Sequence, residues 1–207
     1  MIGEASSAKV HGLHLGIVAL LLVLNFILPD YHQSLLSRIL VLSVFAMGYN
    51  LLFGYVGLLS LGHAMFFSAG LYGAGLAVAL LGWSAPAAFA GGLVCGALLS
   101  LVIGVLALRT TGVAFMIVTM MFSQAFFLTI LYFAAWTGGD QGVVVPQAGR
   151  ILHLGAMSFD LVDPTVRFIA ALVLFSICLF VTTAIIRSRH GRVLVAIREN
   201  EERTRML

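Results

Sequence analysis

Long apolar runs alternate with short polar breaks along this chain, and the runs have membrane-spanning length. They predict helices near 12–28, 35–53, 63–81, 86–108, 113–135 and 165–186. Leu35–Phe53 covers roughly 28 Å at about 1.5 Å per residue, enough to cross a hydrocarbon core. The first run, Leu15–Leu28, has the length of a signal-peptide core. Pro29-Asp30-Tyr31-His32 follows it without a small-residue cleavage pattern, so it reads as a retained helix that lengthens back through Gly12–His14. Gly82-Trp83-Ser84-Ala85-Pro86 reads as a tight interfacial turn, with Trp83 suited to the headgroup level and Pro86 to a helix start. Gly91, Gly92, Gly96 and Gly104 predict that the fourth helix packs closely on a neighbour. The expected fold is an all-α polytopic transmembrane bundle, one integral domain over 1–207 that ends in a cytoplasmic segment at 187–207.

One stretch departs from this simple alternation. Tyr49–Gly75 is apolar enough for a bilayer, yet Gly54, Gly57, Gly62, Gly70, Gly73 and Gly75 interrupt it, and Asn50, Ser60 and His63 sit among them. Glycine permits close helix approach but weakens a helix locally, and polar groups at membrane depth are costly unless they face protein or a water-filled path. The stretch therefore reads as a span that breaks or re-enters near 54–63 and restarts at about His63, placing unpaired backbone groups inside the protein. A plain cytoplasmic turn between two ordinary spans, with the glycines serving only for packing, is the other reading.

Composition narrows the class. The chain is 61% hydrophobic and 9% charged, with mean hydropathy +1.11, far more apolar than a soluble domain of 207 residues requires. Its net charge of +3 and pI near 9.2 do not point to nucleic acid, because the basic residues lie at the ends of apolar runs. Six crossings with both ends inside put eight basic residues in the cytoplasm: Lys9, Arg109, Arg187, Arg189, Arg192, Arg198, Arg203 and Arg205. Three, Arg38, Arg150 and Arg167, fall outside with all the aspartates, which supports cytoplasmic N- and C-termini. A re-entrant segment at 54–63 would move the N-terminus outside. Cys95 and Cys178 fall within spans and read as small buried hydrophobes rather than as a disulfide or metal site.

Catalysis finds little support. Ser60, Ser68 and His63 are near one another in sequence, but the chain has no nucleophile-elbow motif, no HExxH and no pair of intramembrane carboxylates. No catalytic residue, metal site or cofactor is expected. His63 reads as a helix-start or packing residue satisfied by backbone carbonyls, with a ligand role as the alternative. Thr119 and Gln124 either line a path or hydrogen-bond across helices, and their spacing of five does not place them on one face. After the last span, Ser188 or Gly191 is positioned to precede a short amphipathic helix. Val193 and Ile197 stand four apart, and the pairs Glu199–Arg203 and Glu201–Arg205 are in the favourable acid-first order. Such a helix suits docking on a soluble partner; a positive-inside tail that only fixes topology is the alternative.

Three stretches together resemble the permease subunits of ABC importers for branched-chain amino acids. The first is Gly57-Leu58-Leu59-Ser60-Leu61-Gly62-His63-Ala64, followed by Phe66-Phe67 and Gly70-Leu71-Tyr72. The second is Thr137-Gly138-Gly139-Asp140-Gln141-Gly142, and the third runs from Gly191 to Glu201. Thr119-Met120-Met121-Phe122-Ser123-Gln124 also looks like the family's equivalent helix. The resemblance implies a pathway formed with a second permease subunit, two cytoplasmic ATPase subunits, an extracytoplasmic solute-binding protein and a bacterial inner-membrane location. It implies that Gly191, Arg192, Ala196, Ile197, Arg198, Glu199, Asn200 and Glu201 couple to the ATPase. Asn50, Gly57, Ser60, Gly62, His63, Thr119 and Gln124 are the candidate pathway or broken-helix residues. Thr137, Gly138, Gly139, Asp140 and Gly142 are candidates for an outer gate or binding-protein dock.

Permeases of this kind ordinarily continue past the coupling stretch with further membrane helices, whereas this sequence stops at Leu207. The resemblance thus covers the front part of a usual permease, and the expectation is a truncated product, a fragment, or a half completed by another chain. Two other readings stand beside it: a channel or secondary transporter without ATPase partners, and an inactive truncated membrane fragment. Charged or ion-coordinating residues inside the spans would favour the former, and the sequence shows essentially none. Branched-chain amino acids are the substrate that resemblance suggests first, with urea, amides and aromatic acids handled by similar permeases.

Overall fold

The computed structural model describes residues 7–146, 150–154, 157–200 and 204. In chain order the helices are α1 (Ser7–Ile27), α2 (Asp30–Asn50), α3 (Ala64–Leu81), α4 (Ala85–Ala107), α5 (Gly112–Tyr132), α6 (Ala134–Thr137), α7 (Pro164–Arg187) and α8 (Arg189–Glu199). Six of them, α1 to α5 and α7, are long and apolar enough to cross a membrane. The architecture is an all-α polytopic bundle. The segment between α6 and α7 adds one antiparallel hairpin, β1 (Ile151–Leu154) with β2 (Met157–Asp160), in which Ile151 faces Asp160 and Leu154 faces Met157.

The chain divides into two compact units, residues 1–51 with 162–207 and residues 52–161. In the first, α2 starts five residues before the apolar run. Pro29 has extended backbone, and its carbonyl accepts from the amides of His32 and Gln33 at 2.9 and 3.1 Å, opening the helix at Asp30. Asp163 caps α7 by accepting from Thr165 N at 2.8 Å, with Pro164 in the position where a missing N–H costs nothing. Leu40 of α2 meets Phe168, Ala171 and Leu172 of α7 in a buried cluster that Val18 and Leu21 of α1 complete.

Gln33 ties the ends of these helices together. Its amide donates to the carbonyls of Asn25 and Leu28 at 2.8 and 3.2 Å, and its Oε1 accepts from the Thr165 hydroxyl at 3.2 Å. Asn25, Gln33 and Ser37 are all buried, and Ser37 returns its hydroxyl to the Gln33 carbonyl at 2.7 Å.

The second unit is built on α3 against α4. The neighbour predicted for the glycines of α4 is α3: an added Cβ at Gly92 would lie 2.5 Å from the Gly70 carbonyl oxygen and 2.9 Å from the Ala74 Cβ. Contacts run from Phe66 with Gly96 to Ala77 with Ala88, so the two helices are antiparallel. Cys95, expected to be buried, is exposed on α4 even though its side chain lies along Gly73. Cys178 is half-buried, and neither cysteine is in a disulfide.

Candidate functional site

The interruption read from the glycines is a real break in helical structure. After Asn50 the chain makes one π-helical turn, Leu51–Tyr55, then runs non-helically until α3 begins at Ala64. Gly57 takes a left-handed backbone (φ 82°) within it. The break is pinned to α5. Leu61 N donates to Thr119 Oγ1 at 3.2 Å, and that hydroxyl donates to the Met116 carbonyl at 3.0 Å. Gly62 backs onto the Thr119 carbonyl so closely that any Cβ would overlap it. Gly62 and Thr119 are therefore brought together, and both are buried.

The other candidates for this region divide. Ser60 is 3% exposed, and its hydroxyl has no hydrogen-bond partner among the described residues. His63 occupies the position just before α3, but its side chain does not cap the helix; its ring stands edge-on to Phe66 with centroids 5.8 Å apart. Tight turns close the helix start instead, Met65 N to Gly62 O at 3.0 Å and Phe66 N to His63 O at 3.2 Å. Gln124 lies on α5 but is exposed, away from the buried Thr119 face, as a spacing of five on a helix requires. Asn50 is exposed at the end of α2, in the first unit.

The TGGDQG stretch is a compact turn after α5. Thr137 is buried, donates to the carbonyls of Ile130 and Phe133 at 2.7 and 3.1 Å, and accepts from Gly139 N at 3.2 Å. Gly138 has φ 73°, and a Cβ there would overlap the Gly142 carbonyl, so glycine is required by conformation and by space. Gly139 and Gly142 are also left-handed (φ 55° and 74°), and Asp140 projects its exposed carboxylate from the tip. The motif thus has a structural reason for each glycine and leaves the Asp140 carboxylate exposed.

The amphipathic segment forms α8. Ser188 is the sole residue between α7 and α8, and its hydroxyl accepts from the amides of His190 and Gly191 at 3.1 and 3.4 Å. Gly191 is buried against the end of α7, where a Cβ would overlap the Ile186 carbonyl. Arg192, Arg198 and Glu199 are exposed, Ala196 and Ile197 are half-buried, and Asn200 ends the helix. Glu201, Arg203 and Arg205, and with them both acid-first pairs, lie outside the described residues.

The Gln33 joint is the feature with no signal in the sequence pattern. Gln33 lies between the predicted helices 12–28 and 35–53, and no local pattern marks it because its partner Thr165 is 132 residues away. Arg38, counted with the outer residues, stands exposed on α2 eight residues past Asp30.

Six span-length helices, one preceded by a pinned non-helical break and another followed by a capped amphipathic helix, define a multi-pass membrane protein. Residues 31–207 match the family model described as "Branched-chain amino acid transport system / permease component". The chain belongs to that family, and it is a transport component. No curated protein and no solved structure matches it.

Proposed function

We propose that this chain is a permease subunit of an ATP-driven importer for branched-chain amino acids or a related small polar solute. In this reading it sits in a bacterial inner membrane with both termini cytoplasmic, pairs with a second permease subunit and receives solute from an extracytoplasmic binding protein. Two cytoplasmic ATPase subunits power it, α8 sits in a groove of one of them, and their closure on ATP shifts α8 and switches the pathway between inward- and outward-open states. The broken segment at Gly57–His63, with Thr119 behind it, lines the pathway. The Thr137–Gly142 turn serves as outer gate or docking surface through Asp140.

The observation that carries this reading is the elbow at Ser188–Gly191. A capped amphipathic helix joins the last span through one residue, and a buried glycine leaves no room between them. Exposed Arg192, Arg198 and Glu199 give it a charged face suited to a soluble partner. Gly191→Leu should displace α8 and reduce both ATPase co-purification and ATP-dependent uptake at least tenfold, with membrane insertion unchanged. Glu199→Lys should weaken co-purification alone. Normal co-purification and uptake for both variants would sink the coupling role.

A further inference from the structure

We propose that Trp83 and the Tyr132–Phe133–Trp136 group form a lipid-headgroup contact surface that sets the depth of the second unit in the bilayer. Both tryptophans of the chain belong to this set. They sit just past the ends of two spans, Trp83 after α3 and Trp136 within α6 after α5.

The two positions lie at the same end of the unit. From the level where Gly62 meets Thr119, α3 runs to Leu81, about 28 Å of helical rise, and α5 runs the same way to Tyr132, about 20 Å, before Phe133 breaks it and α6 carries Trp136. The segment after α6 packs toward that same end of α3: Val143 lies 3.5 Å from an ideal Cβ at Gly75, and Val145 packs on Ala77, Val78 and Ala88. The opposite end of the unit carries Arg109, in the α4–α5 turn.

The rings are exposed and yet held. Trp83 is 44% exposed, Trp136 66% and Tyr132 83%. Trp83 donates its amide to the Ala77 carbonyl at 3.1 Å, and its ring covers Gly91. Phe133 and Trp136 stack with centroids 5.9 Å apart, and Tyr132 meets Phe133 edge-on at 5.0 Å. Large rings with a polar N–H or O–H, fixed where an apolar span gives way to a polar turn, match the bilayer boundary, which is apolar on one side and wet on the other.

The test uses the full chain in phosphatidylcholine vesicles containing nitroxide-labelled lipid. Trp83→Tyr leaves Trp136 as the single emitter, and Trp136→Tyr leaves Trp83. Both rings should be quenched about twofold more by a nitroxide near the headgroup than by one near the chain end. Three results would overturn the proposal. Stronger quenching by the deep label would place the rings in the hydrocarbon. Quenching of Trp136 by aqueous iodide but by neither lipid label would make it a surface for a soluble protein. Protection from every quencher would mean that a second copy of the chain covers it. If either variant fails to insert, the unsubstituted chain carries the same depth comparison.

Discussion

The two compact units hold their helices together by different means. In the first, α2 and α7 meet through large side chains, Leu40 with Phe168 and Leu172, and through Gln33, which reaches two carbonyls near the end of α1 and a hydroxyl on α7. In the second, α3 and α4 meet almost backbone to backbone where Gly92 faces Gly70 and Ala74. Among apolar surroundings, exchanging lipid for protein contact gains little by hydrophobicity, so close packing and interhelical hydrogen bonds decide association. One unit depends on polar geometry concentrated at one end. The other depends on side chains being absent along a stripe, and it tolerates no growth there.

The largest test of that contrast is Gly92→Leu. It should push α3 from α4 and cost about 3 kcal/mol, read as earlier unfolding in detergent. Gly104→Ala on the same helix, where an added Cβ meets nothing within 4 Å, should change stability by no more than about 0.5 kcal/mol. Equal behaviour of the two variants would mean that close approach does not hold this pair. Next, Gln33→Leu should cost about 1–2 kcal/mol in the same assay. Combined with Thr165→Val it should lose less than the sum of the two single changes, because the pair shares one hydrogen bond. Strict additivity would remove Gln33 from the joint between α2 and α7. The smallest effect expected is from Thr119→Val, which takes the acceptor from Leu61 N at a cost of about 1 kcal/mol. Amide exchange at Leu61 should then quicken about fivefold while α5 itself stays protected. An unchanged rate would mean the break is not anchored there.

Much of this was legible in the sequence because the cause was local. Six apolar runs of span length dictate six spanning helices, and the mixture of glycine with Asn50, Ser60 and His63 marks the interruption between the second and third. Ser188 was readable as a cap because its partners are two and three residues away. What could not be read depends on distant partners. The glycines of α4 announced a close neighbour without saying which, and the glycine of Gly62 makes sense only once Thr119 stands behind it. Gln33 and Thr165 become a pair only after the helices between them have folded. At TGGDQG the sequence suggested a function, whereas the folded chain first gives the glycines a conformational reason, leaving Asp140 as the group with chemistry to spare.

The single-residue connection at Ser188 makes α7 and α8 act mechanically as a bent rod. With no slack to absorb a push on the short arm, force arrives at the long arm as a tilt. The 24 residues of α7 extend about 36 Å, so a rotation of about five degrees at the bend would swing the far end by roughly 3 Å. That end begins at Pro164 and Thr165, beside Gln33, and the leverage therefore delivers its greatest displacement to the polar joint that locks the first unit.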